Sequence, residues 1–202
     1  MQIPKKSLNR RPWKIVSGGQ TGIDRAALVA AMTFSIPHGG WVPKGRLAED
    51  GVVPEDFYGL KECPDGSYRE RTRLNVRDSD ATLILADALP LTGGTAYTAK
   101  YAERVGKTCK VIRLGDDDAI AQIRDWMLWL EDTVRPEQSD RVVLNVAGPR
   151  ESGSPGIFAL AKQALIGVFS FFRNYSGGDI YSIDDDGFPL ACIDAEYVEH
   201  CF

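Results

Sequence analysis

Short apolar runs alternate with longer stretches of helical spacing along most of this chain. Residues 14–16, 39–42, 81–86, 108–114 and 141–147 read as strands, and residues 24–34, 68–78, 119–131 and 157–172 as helices. A further helix follows the glycines at 93–94 and ends near residue 105. Ala27, Leu28, Ala31 and Met32 give the first helix its buried stripe. Ile120, Ile123, Trp126, Met127 and Leu130 do the same for the helix at 119–131. The run at 81–86 is almost continuously apolar, as in a strand covered on both faces of a parallel sheet. Strand-then-helix alternation of this kind predicts a three-layer α/β fold, a mostly parallel sheet flanked by helices. Residues 1–202 read as a single domain, with 1–12 as an N-terminal arm and 174–202 as a C-terminal extension. Within that extension, 180–183 and 188–193 suggest a short hairpin or tail. Residues 136–140 form a linker. Residues 43–63 read as a loop longer than most connections, which favours a functional role or a lid.

Three strand ends run into small-residue turns. The first, Gly18-Gly19-Gln20-Thr21-Gly22, sits between a strand and a helix. Such a turn leaves N–H groups uncovered at a positive helix end, where an anion fits. Thr21 and Asp24 are its N-cap candidates. The spacing is neither the dinucleotide fingerprint nor a phosphate-binding Walker loop. Gly93-Gly94-Thr95 and the segment from Gly148 to Gly156 repeat the arrangement. Turns at the carboxyl ends of one parallel sheet can face each other across a ligand crevice. Lys44 and Arg46, flanking Gly45, could fold over an anion, or Glu49 and Asp50 could neutralise them. Trp41 is either a core filler or a flat platform for a ring. Asp116, Asp117 and Asp118 suit a helix cap better than a metal.

The 202 residues are 44% hydrophobic and 26% charged, an ordinary soluble composition, and the net charge of −4 argues against a broad nucleic-acid face. The four cysteines form no C-x-x-C pair and are expected as free thiols in a reducing cytosol. With no apolar run of about 18 residues, no membrane span is expected.

In combination, residues 17–28, 39–46 and 49–51 resemble the putative molybdenum carrier family. Arg71-Thr72, Asn75-Val76, residues 78–84, Gly93-Gly94-Thr95 and residues 145–152 extend the likeness, which spans roughly residues 14 to 170. The resemblance implies a Rossmann-like fold of the group holding the lysine decarboxylase-like (LOG) proteins and the DprA domains. It also implies a bound small anion, either the molybdenum cofactor (molybdopterin) or a nucleotide. The expected site comprises Gly18, Gly19, Gln20, Thr21, Asp24 and Arg25; Trp41, Lys44, Gly45 and Arg46; Arg71; Gly93, Gly94, Thr95 and Thr98; and Gly148, Arg150 and Glu151. A cytoplasmic homo-oligomer, dimer or tetramer, is expected. One departure stands out. LOG-type phosphoribohydrolases carry a glutamate soon after a glycine-threonine turn, whereas Gly94-Thr95 is followed by Ala96-Tyr97-Thr98-Ala99 and the first acid is Glu103. Three functions remain open: a binding module, a nucleotide hydrolase or N-glycosidase using Asp24, Glu49, Asp50, Asp78 or Glu151, and an adaptor. Substitution of Gly19, Gly94 or Arg150 is expected to weaken binding more than stability.

Overall fold

The computed structural model describes residues 13–134 and 141–175. Strand β1 (Trp13–Val16) leads into helix α1 (Ile23–Thr33), and β2 (His38–Val42) returns beside β1. A 3-10 turn at Lys44–Arg46, a small antiparallel hairpin of β3 (Leu47–Ala48) and β4 (Gly51–Val52), and strand β5 (Leu60–Glu62) come next. Then follow α2 (Tyr68–Arg77), β6 (Ala81–Ala86), α3 (Gly93–Arg104), β7 (Thr108–Arg113), α4 (Ala119–Thr133), β8 (Val142–Ala147) and α5 (Ile157–Tyr175). Six strands form one sheet in the order β5-β2-β1-β8-β6-β7, each pair parallel. The arrangement is α/β and Rossmann-like. The N-terminal arm, the 136–140 linker and the terminal hairpin lie outside the described residues.

The layers follow from the pleat. Ile15, Leu83, Leu85, Leu144 and Val146 point to one face, where α1, α4 and α5 close the main core with Ile23, Ile123, Met127, Leu165 and Phe169. Helices α2 and α3 pack against each other, α2 against β2 and α3 against β6 and β7, on the opposite side. Strand β6 is buried along its whole length, as its continuous apolar run predicts. Ile120, expected inward, is exposed, because α4 turns Ala119, Ile123, Met127 and Leu130 to the core instead.

The stretch at 43–63 is not a plain loop. Leu28 on the outer side of α1 needs cover, and Val53 and Phe57 supply it, with Val29, Met32, Ala48 and Leu60 packed around them. Strand β5 then adds to the sheet edge beside β2. Strands of two or three residues carry no readable periodicity, so this excursion was invisible as structure. The caps also differ from expectation. Gly22, at φ 75, is the N-cap of α1 and no side chain caps it. Neither Thr21 nor Asp24 fills that role, since each bonds elsewhere, as described below. Asp118 is the N-cap of α4 without a side-chain cap bond; its carboxylate accepts from Gln122 Nε2 at 2.7 Å.

The carboxyl edge of the sheet is packed backbone against backbone. A Cβ at Gly40 would stand 2.1 Å from the Ser17 carbonyl oxygen, and φ there is +130°. A Cβ at Gly148 would stand 2.3 Å from the Leu85 oxygen and 2.4 Å from Ile23 Cγ1. Neither neighbour can yield without moving a strand. Gly40→Ala and Gly148→Ala are therefore each expected to lose about 2–4 kcal/mol in urea unfolding. Gly94→Ala, with open space around it, is expected to stay within about 0.5 kcal/mol of the parent.

Candidate functional site

Strands β8 and β6 are neighbours, yet the helices that follow them leave to opposite faces of the sheet. Their turns therefore part at the carboxyl edge, where open α/β sheets hold ligands. A cleft of about 780 Å³ lies there. It is lined by Gln20 and Asp24 below β1, by the first turns of α2, by the β6–α3 turn and by the β8–α5 turn.

The start of α3 leaves backbone donors open towards the cleft. Thr92 is its N-cap and makes no side-chain cap bond. Ala96 N–H bonds back to Thr92 O, so the N–H groups of Gly93, Gly94 and Thr95 precede the first backbone bond of the helix. Space is open where side chains would stand at Gly93 and Gly94. Three arginines line the same cleft: Arg69, Arg71 and Arg150. Two tyrosines accompany them. The Arg150 guanidinium lies 4.8 Å from the centre of the Tyr68 ring, and that of Arg69 lies 5.9 Å from Tyr97. Arg73 Nε donates to the Tyr97 hydroxyl at 2.8 Å and fixes that ring from behind.

The floor is a buried polar knot. Asp24 Oδ2 accepts from Gln20 N–H at 3.3 Å and from Arg71 Nη1 at 3.2 Å. Burial raises the Asp24 carboxyl above its ordinary value, although Arg71, Gln20 and Ser17 pull the other way. The Arg71 guanidinium lies flat on Gly18, whose missing Cβ would stand 1.9 Å from Nη1. Gln20 Nε2 donates to Leu47 O at 2.8 Å. Gln20 Oε1 and Arg71 Nε are buried without a hydrogen-bond partner among the described residues.

Of the sequence-predicted site residues, the fold brings Gln20, Asp24, Arg71, Gly93, Gly94, Thr95, Thr98, Gly148 and Arg150 to the cleft. The others stand elsewhere for identifiable reasons. Gly18 lies under Arg71, and a Cβ on Gly19 would meet Val42 Cγ1 at 2.9 Å, so Gly19→Val would disturb packing first. The Thr21 hydroxyl donates to Glu49 and accepts Glu151 N–H. Arg25 forms a two-point pair with Asp50 and also donates to Gly19 O. The Trp41 indole donates to Asp78 at 2.8 Å, while Asn75 brackets the Trp41 backbone with both its amide atoms. Lys44 is exposed, and Gly45 N–H bonds Glu62 at 2.6 Å. Arg46 spends its guanidinium on the carbonyls of Val53, Pro54 and Phe57. The Glu151 carboxylate accepts the N–H groups of Gly156 (short) and Phe158 at the start of α5.

Tyr68, Tyr97 and Ser152 line the cleft without having been singled out. A helical signal was available for the tyrosines. Tyr68, Arg71 and Thr72 share one helix face at i, i+3 and i+4, as do Gly94, Tyr97 and Thr98.

Two carboxylates tie the hairpin tip down, and their titration fixes a pH response. Hydrogen bonding to Arg25 holds Asp50 below its ordinary 3.8. Burial would raise Glu49, but bonds from Ser152 and Thr21 hold it below its ordinary 4.5. Groups depressed in the fold stabilise it above their unfolded values and lose that contribution as pH falls through the folded ones. Asp24, raised from 3.8, runs the opposite way: its contribution is complete in acid and fades as pH rises through its folded value. Urea unfolding is expected to show a stability loss below pH 4.5 that shrinks in Asp50→Asn, and Asp24→Asn is expected to leave this acid limb in place.

Among the described residues no helix is long and apolar enough to cross a membrane. No curated protein matches the chain. A solved structure, called putative molybdenum carrier protein and taken from Syntrophus aciditrophicus SB, is 45% identical, with a TM-score of 0.69; the alignment covers 79% of this chain and 96% of that one. Residues 15–169 match the circularly permutated YpsA SLOG family. With three-quarters of its length inside that match, the chain belongs to the circularly permutated YpsA SLOG family.

Proposed function

We propose that this chain binds a phosphorylated small molecule with a flat ring, the molybdenum cofactor or a nucleotide, and serves as its carrier. One observation carries the reading: the uncapped start of α3, with Gly93 and Gly94 open, shares its cleft with Arg69, Arg71 and Arg150 and with Tyr68 and Tyr97. Backbone donors at a positive helix end suit a phosphoryl group, guanidinium groups complete its charge, and tyrosine rings suit a pterin or a nucleobase. The donor set fits the phosphate and ring of molybdopterin as well as those of a nucleotide. The name of the solved relative favours the first. The homo-oligomer expected from the sequence has an exposed edge strand, β5, available to it. We place the protein in the cytosol.

A second reading, a nucleotide hydrolase or N-glycosidase, draws on Asp24. Its buried carboxyl lines the cleft and is pushed towards the protonated form. A neutral acid there would give its proton to the leaving base as the N-glycosidic bond breaks, while water adds to the anomeric carbon and its proton restores the carboxyl.

Mass spectrometry of the purified protein is expected to find a co-purifying phosphorylated heterocycle, and that molecule should raise the melting temperature. Arg150→Ala should weaken its binding by about 1.5–3 kcal/mol by calorimetry. Gly94→Val should abolish binding with little change in melting of the free protein. The hydrolase reading expects release of free base from a nucleotide panel by chromatography, lost in Asp24→Asn while binding persists. Binding without product excludes it.

A further inference from the structure

A second polar corner borders the cleft. The hairpin β3–β4 turns at Glu49-Asp50, and the Glu49 carboxylate reaches the turns that follow β1 and β8. It accepts Ser152 N–H at 3.1 Å, the Ser152 hydroxyl and the Thr21 hydroxyl, with Arg150 Nη1 4.0 Å away. Two hydroxyls, one amide and one guanidinium thus converge on a single point, and an anion from the chain itself fills it. The depressed Glu49 carboxyl agrees with a corner that selects negative charge. Arg150 and Ser152 line the cleft as well, and Arg150 spans from Glu49 to the Tyr68 ring. The corner therefore adjoins the cleft through Arg150 and Ser152. Asp50 holds the hairpin separately, by its two-point pair with buried Arg25, so Glu49 can leave the corner while the tip stays anchored.

A phosphoryl group carries the same charge sign as a carboxylate and offers more acceptor oxygens, so donors that satisfy one suit the other. We propose that Thr21, Arg150 and Ser152 form a second anion subsite, held in this structure by Glu49 and opened to the second phosphoryl group of a diphosphate-bearing ligand. The inference rests on the reading that the cleft binds a first phosphoryl group at the start of α3. It makes Glu49 an internal competitor that sets the preference between monophosphate and diphosphate ligands.

Calorimetry with inorganic phosphate and pyrophosphate, on wild-type, Glu49→Ala and Glu49→Gln proteins, tests it without reference to any ring. Pyrophosphate should bind both variants about tenfold more tightly than wild type, the size of one charge-assisted contact released from competition. Phosphate should bind the wild type and both variants alike at the α3 position. Ser152→Ala in the Glu49→Gln background should remove the pyrophosphate gain. Thermal melting identifies any variant that loses its fold, and Glu49→Gln, of equal size, then carries the comparison. If phosphate binds wild type but the phosphate-to-pyrophosphate ratio is unchanged in both variants, the second subsite is overturned and the one-phosphate cleft stands. If neither anion binds any of the proteins, the cleft reading fails and takes the subsite with it.

Discussion

The site depends on how closely three turns approach one another at the carboxyl edge of the sheet. Gly40 abuts the Ser17 backbone, Gly22 the Pro149 carbonyl and Gly148 the Leu85 carbonyl, each too near to admit a Cβ. This contact fixes β2 beside β1 and the β8 turn against both β6 and α1. The first glycine turn is itself buried, and its Gln20 N–H is taken by Asp24. What that turn offers to the cleft is side chains, Gln20 and Asp24, while the turn before α3 makes no such contact at Gly93 and Gly94 and keeps its donors open.

Charge around the cleft is arranged in pairs that do not cancel in the same way. Arg25 is fully engaged by Asp50 and Gly19 and serves the hairpin. Arg71 shares Asp24 with the backbone of Gln20, and its Nε has no hydrogen-bond partner among the described residues. Arg150 lies between a carboxylate and a tyrosine ring. A guanidinium held by one ionic partner and one aromatic face is oriented without being neutralised, the condition under which it can still meet a ligand anion.

Much of this was legible in the sequence, and the misses share a cause. The continuous run at 81–86 identified a doubly covered strand, and the recurring strand–turn–helix order identified the parallel sheet. Gly18 and Gly148 lie just past the ends of β1 and β8, whereas Gly93 and Gly94 open helix α3, several residues beyond the end of β6. Sequence shows that a side chain is missing, however, and not whether ligand or chain occupies the space. At Gly18 the occupant is Arg71, and at Gly148 it is the backbone of β6. Arg46 looked like an anion clamp because its carbonyl partners come from a fold of the loop that has no periodic signature. Asn75 is the staple joining α2 to the backbone of β2.

Strand β8 separates β5-β2-β1 from β6-β7 and pairs with both groups. Chains leave the ribosome amino end first, so both flanking groups exist before the piece that bonds them together. Until residues 142–147 emerge, β1 and β6 each present an unpaired, apolar strand edge to solvent or to a chaperone. Completion of the sheet is therefore a late, long-range event joining residues far apart in sequence, and early-stopped products ending before β8 would carry two sticky half-sheets with no centre.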